Sequence, residues 1–239
     1  VLFVGLEVLA LSSYILVALR RRYLPSVEGA FKYIVNGGIA SALTLYGMSF
    51  LYGLTGSTNL FAIGEGLRDA YASGNAYLVY VAFFLLVVGV AFKIAAAPFH
   101  MWTPDVYQGA PTPVTAFLAV VSKAAGFALL LRLVLTAYLG LSNPQNGTPL
   151  LFSELNLYVG AIAAASMLLG NTVALRQTNV KRMMAYSSIA HAGYLLVPVA
   201  ALTPMVFSQM VFYLVAYLFM TMGAFAVIQL VACDRGSED

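Results

Sequence analysis

The sequence predicts an all-α, polytopic transmembrane helix bundle of about seven spans, on three observations. Of 239 residues, 62% are hydrophobic and 9% charged, whereas soluble domains are roughly a quarter charged. The apolar residues come in runs close to the about 20 that a helix needs to cross hydrocarbon, without the period-two alternation of a membrane strand. The basic residues gather in clusters that fall on one side of the bilayer when the chain crosses it seven times.

The first span, 1–19, is apolar from Val1 with no charged segment before it, so no signal peptide is expected and the chain reads as an internal segment of a longer protein. Arg20, Arg21, Arg22 and Pro25 close it. A second span covers 30–53, and the stretch 54–76 holds Gly, Ser and Asn breakers with a short amphipathic piece. The third span, 77–97, runs into Pro98, Pro104, Pro111 and Pro113, and the fourth covers 113–138. A turn-rich loop, 139–155, contains Asn146-Gly-Thr, the weak pattern of a glycosylation acceptor. Spans at 156–175, 183–202 and 205–232 follow, with Arg176, Lys181 and Arg182 after the fifth and Arg235 after the seventh. The opposite side carries Arg68, so the clustered side is the cytoplasm by the positive-inside rule. Because hydrocarbon offers backbone groups no partner, each span must be helical.

Composition also excludes functions. With Cys233 alone there is no intrachain disulfide and no cysteine metal site, and His100 and His191 are too few for a structural zinc. No glycine fingerprint after a strand marks a dinucleotide site, so neither cofactor nor metal binding is expected in this chain, and no nucleic-acid partner.

The informative residues are the ionisable ones inside apolar runs: Glu7, Lys32, Lys93, Lys123 and Arg132. A mid-bilayer charge costs at least roughly 2.5–3.5 kcal/mol, so such residues face a partner or a water-filled cavity. Desolvation moves lysine and carboxylate titration toward neutral pH, which suits proton exchange. Other readings stay open. Lys32 could snorkel to the cytoplasmic interface, Glu7 and Lys93 could form a static ion pair, and Arg132, which hardly deprotonates, reads as an anchor. His100 and His191 could relay protons or simply pack with hydrogen bonds. The proline-rich break, one turn after Lys93, is either a transporter-like broken helix or a cytoplasmic loop whose Trp102 and Tyr107 sit at the interface. Small-residue runs such as GGIASA read as helix-packing surface without chemistry.

FKIAAAPFHMWTPDVYQGAPTPVTAFLAVVSKAAGFALLLR closely resembles the central signature of the subunit N family (subunit 2 in organelles) of proton-pumping NADH:quinone oxidoreductase, respiratory complex I. ALRQTNVKRMMAYSSIAHAGYLL resembles a second block of that family, and the likeness covers nearly the whole chain. It implies an antiporter-like fold of about fourteen helices with two inverted repeats. This chain, residues 1–239 as a single transmembrane domain, would supply the fifth to eleventh helices and stop before the lysine of the second half-channel. The resemblance places proton translocation on Glu7, Lys32, Lys93 and Lys123. It implies that Lys93 holds a proton when separated from Glu7 and releases it when the pair closes, Lys123 then passing protons along a central hydrophilic axis. It further implies other complex I membrane subunits as partners, with NADH, FMN, iron–sulfur clusters and quinone bound elsewhere in the complex. The location implied is a bacterial inner membrane, or an organelle membrane. The rival readings are a cation/proton antiporter of the same fold, a static membrane scaffold and an ordinary solute carrier.

Overall fold

The computed structural model describes residues 1–138, 140–141, 155–201 and 205–235. Within them the regular structure is helical: α1 Leu2–Val17, α2 Leu24–Thr55, α3 Leu60–Ala72, α4 Ala76–Ile94, α5 Thr103–Gly109, α6 Thr112–Tyr138, α7 Asn156–Ala174, α8 Val180–Ala201 and α9 Val206–Arg235. Six of these, α2, α4, α6, α7, α8 and α9, are long and apolar enough to cross a bilayer. The seventh expected span is α1, an apolar helix of 16 residues. The loop 142–154 with Asn146, and the side chain of Arg235, lie outside the described residues.

The prolines that break the sequence pattern sit where a helix needs no donor. Pro25, Pro104 and Pro113 each occupy the first turn of α2, α5 and α6, where the missing N–H has no intrahelical partner to lose. The amphipathic piece between spans is α3, capped by the Asn59 side chain accepting from the Phe61 amide at 2.9 Å. α2 ends on Gly56, whose φ of 65° is the left-handed conformation that glycine adopts without a Cβ clash.

Lipid tails give little hydrophobic drive between helices, so close approach and hydrogen bonds hold the bundle. A Cβ on Gly89 of α4 would lie 1.8 Å from Oγ1 of Thr44 on α2, so a hydrogen is what lets these helices touch. Gly109 of α5 does the same at the other end, where a Cβ would lie 2.2 Å from the Pro25 carbonyl. α7 and α8 form the most extensive helix pair.

The buried apolar residues form two clusters. One joins α3, α4, the second half of α6, α7 and the C-terminal part of α8. The other joins α1, the first half of α2, the α4–α6 connection, the first half of α6, the start of α8 and α9. The N-termini of α2 and α8, next to Arg20–Arg22 and Arg176–Arg182, belong to the second cluster, which therefore lies on the positively charged side.

Candidate functional site

The ionisable residues mark the seam between the two clusters. Leu6 and Ala10 flank Glu7, Val120 and Phe127 flank Lys123, and Ile189 and Ala192 flank His191, each time one residue from either cluster. Phe92 and Ile94 do the same for Lys93. At 1.5 Å per residue, Lys123 is about 16 Å along α6 from Thr112 and His191 about 16 Å along α8 from Val180, near the middle of a hydrocarbon layer about 30 Å thick.

α4 ends beside Lys93, at Ala95 with a φ of 58°, a conformation that strains a residue carrying a Cβ. The two ends of the connection that follows are packed inside the protein, with Ala95, Ala96, Ala97, Trp102, Thr103 and Tyr107 all buried, while Pro98 and Met101 between them are exposed. Its freed backbone groups find partners there. The Ala97 amide donates to Oγ of Ser166 on α7 at 2.9 Å, and Trp102 Nε1 donates to the Phe92 carbonyl at 3.2 Å. Tyr33 of α2 stacks on Trp102 at 4.3 Å and meets Tyr14 of α1 edge-on at 4.6 Å. The stretch is thus a broken helix whose ends are held by protein partners, as irregular backbone at membrane depth requires, and Trp102 and Tyr107 serve packing here.

Glu7, Ser41, Thr44, Met48, Leu86 and Lys93 line one cleft. Ser41 donates to Oε1 of Glu7 at 2.5 Å. Lys93 is 8% exposed, its Nζ 6.0 Å from the Phe92 ring centre. Among the described residues no ion pair joins it to Glu7, so the static-pair reading does not describe this structure.

Lys123 is 2% exposed and begins regular α-helix immediately after a π-turn at Leu118–Ser122, a local widening that often marks functional sites. Its Nζ donates to the carbonyl and, at 2.5 Å, the hydroxyl of Ser188 on α8. Tyr107 OH is 3.2 Å from the same hydroxyl, and the Tyr217 ring lies 5.7 Å from Nζ. His191, one turn further along α8, pairs its Nδ1 with Tyr213 OH of α9 at 2.5 Å and is close enough to interact electrostatically with Lys123. Four helices or connections thus meet at one lysine through neutral groups.

Lys32 is different. Half exposed, at 41%, it bonds Glu28 and Asp105 at 2.6 Å each, so it is tethered rather than snorkelling freely. Asp105 also takes Arg182 Nη1 at 2.6 Å, and Arg182 reaches Gln108 at 2.9 Å, which ties α2, α5 and α8 together. Burial pushes the Asp105 carboxyl up, but the bonds from Lys32 and Arg182 outweigh it and hold the group below its ordinary value. Lys181, read from sequence as part of a surface cluster, is buried and donates to the Ala110 carbonyl at 2.6 Å. Helical register turns it inward, where it holds the start of α8 to the α5–α6 joint.

Of the sequence candidates, the structure brings Glu7 and Lys93 to one cleft and Lys123 and His191 to one cluster. Lys32 stands apart from both. His100 lies on the connection, its Nδ1 buried and, among the described residues, without a hydrogen-bond partner. Arg132 is exposed on α6. Sequence reading missed Asp105, Arg182, Ser41, Ser188 and Tyr213, whose partners are distant in the chain. GGIASA packs helices, a Cβ on its Gly37 colliding with Tyr14 of α1, and its Ser41 also contacts the one acidic residue of α1.

The chain covers 100% of its own length and 47% of the relative from Brevibacillus brevis described as NADH-quinone oxidoreductase subunit N, at 58% identity. Among solved structures it resembles a chain of respiratory complex I from Thermus thermophilus, with a TM-score of 0.74 and 41% identity over 95% of this chain and 45% of that one. It also resembles a chain of an archaeal membrane-bound sulfane sulfur reductase, with a TM-score of 0.83 and 30% identity over 96% and 44%. The chain spans about half the length of the curated relatives it matches. The family model for the membrane part described as "NADH:quinone oxidoreductase/Mrp antiporter, TM" matches residues 1–239 throughout, and the chain belongs to that family.

Proposed function

We propose that this chain is the module carrying one proton half-channel in a membrane subunit of a redox-driven proton pump of the NADH:quinone oxidoreductase type. It works as a single transmembrane domain in a bacterial inner membrane. Its partners are the other membrane subunits, and NADH, FMN, iron–sulfur clusters and quinone reside in the rest of the complex. The observation that carries this reading is the seam: Glu7, Lys93, Lys123 and His191 share the boundary between two apolar clusters, where a charge in an apolar span is costly without a partner or water.

The mechanism follows from Coulomb's law. An anion nearby favours the charged lysine, so Lys93 keeps its proton while Glu7 is close and yields it when Glu7 withdraws. That order is the reverse of the one the sequence resemblance implied. Lys123, held by oxygens of Ser188 that carry no net charge, accepts from the Lys93 side and passes protons along the seam. Redox steps elsewhere would drive the movement of Glu7. The test is Lys93→Ala in the full-length subunit, with electron transfer and pH-gradient formation recorded together in sealed vesicles and assembly checked. An assembled complex with impaired pumping or coupled turnover supports the reading; parental values for both make Lys93 structural.

Because the family description joins pumps and antiporters, cation/proton antiport is the second reading. A sodium-driven pH gradient formed without an electron donor would favour it.

A further inference from the structure

The hydroxyls on these helices mostly bond their own backbone. Ser13, Thr44, Thr55, Thr136, Ser166 and Thr172 each donate to the carbonyl four residues earlier, at 2.5 to 2.7 Å. That is the default for a hydroxyl in mid-helix with no better partner. Ser41 departs from it. It lies between Ala40 and Thr44 on α2, forgoes the Gly37 carbonyl, and spends its proton on the Glu7 carboxylate of α1 at 2.5 Å. In the same cleft stands Lys93, which among the described residues has no hydrogen-bond or ion-pair partner. Glu7 therefore has two possible partners lining the same cleft, and the structure has it on the serine.

We propose that Ser41 is a positioning residue that latches Glu7 away from Lys93 and so defines the open position of a two-position carboxylate. The inference rests on the proton-carrying reading of Glu7 and Lys93. With the latch made, Glu7 acts on Lys93 only through space, without a direct ion pair, and Lys93 yields its proton more readily. With the latch broken, Glu7 crosses to Lys93 and the proton stays. The serine touches no substrate; it sets how much free energy the crossing requires. A hydrogen bond to a charged group is worth enough to bias the two positions by roughly ten- to a hundredfold. Losing it favours the closed pair, and proton release then needs a higher pH.

The experiment uses the assembled complex in sealed vesicles, with variants in the full-length subunit. Ser41→Ala is expected to assemble and to move the pH profile of proton pumping to the alkaline side by about one to two pH units, a tenfold bias being one unit. Ser41→Thr, which keeps the hydroxyl, restores the parental profile. Ser41→Val, which has the shape of threonine without the hydroxyl, behaves as Ser41→Ala and separates the bond from packing. On a Glu7→Gln background Ser41→Ala adds nothing. A parental profile in both Ser41→Ala and Ser41→Val overturns the latch, as does a Ser41→Ala effect that persists with Glu7→Gln or that threonine does not rescue. Glu7→Gln alone separates the two claims. If it leaves pumping intact, the proton-carrying reading itself fails; if it impairs pumping while the Ser41 variants are silent, only the latch fails.

Discussion

Lys32 and Lys123 are the same residue in opposite surroundings. Lys32, half exposed near the start of α2, is gripped by the carboxylates of Glu28 and Asp105. Lys123, buried in α6, meets the hydroxyl and carbonyl of Ser188 and, among the described residues, no carboxylate. Two anions fix an ammonium as charged. Neutral oxygens accept a hydrogen bond from an ammonium or from an amine, so the second site can exchange its proton and the first resists doing so. The resemblance gave all four ionisable residues one role. The geometry divides them into a tether that joins α2, α5 and α8 and buried groups at the seam, which are the proposed carriers.

Arginine separates the two regions most sharply, because it keeps the charge and does not release a proton. In the assembled complex Lys93→Arg and Lys123→Arg are expected to reduce proton pumping roughly a hundredfold or more, the scale of a lost acid–base group. Lys32→Arg can still pair with Glu28 and Asp105 and is expected to retain most of the pumping. Equal losses in all three, measured as pH-gradient formation in sealed vesicles, would erase the division and return Lys32 to the proton path.

The tether itself should be read in stability. Asp105→Asn keeps the shape and removes the charge that Lys32 and Arg182 share. Both partners are partly solvated, so the cost is about 1–2 kcal/mol rather than that of a buried pair, seen as a lower melting temperature of the purified complex. The sign of its pH dependence follows from a carboxyl held below its ordinary value. Its contribution is complete above the ordinary carboxylate range and is lost as the pH falls through the lower folded value. The parent and Asp105→Asn should therefore differ by a constant amount from neutral pH down to that range and converge only below it. Convergence already near neutral pH would mean that Asp105 is not the charged centre of the tether.

The fold was legible because it rests on local signals. Long apolar runs, prolines at first turns and the one-sided arginines placed the helices, and the amphipathic stretch after the second span became α3. The proline-rich run announced a break next to Lys93. That the ends of the break are buried could not be read, because burial depends on Tyr33, Ser166 and α8 folding over them. The site was half legible for the same reason. A lone charge in an apolar run is visible by itself, which exposed Glu7, Lys93 and Lys123. A serine in a run of small residues is visible only through its partner, and that of Ser41 lies 34 positions away. Asp105 sits in a polar-looking segment, where a carboxylate is unremarkable until Lys32 and Arg182 converge on it.

The smallest effect sharpens the comparison where the two regions join, at the connection between α4 and α5. Ser166 of α7 accepts the Ala97 amide at 2.9 Å while donating to its own helix at Ile162, 2.7 Å away. Ser166→Ala leaves that buried amide unpaired, a local cost of about 1–3 kcal/mol, and opens the break from the α7 side. Asp105→Asn loosens the same connection from its other end, through α5. Hydrogen exchange at the Ala97 amide distinguishes the two. If exchange speeds up in Ser166→Ala and stays parental in Asp105→Asn, the break is held by the seam and moves independently of the tether. Movement of the Lys93 end would then need no rearrangement at Lys32. If both variants speed exchange alike, the connection is one rigid unit, and a change at the half-exposed tether reaches the buried lysine directly.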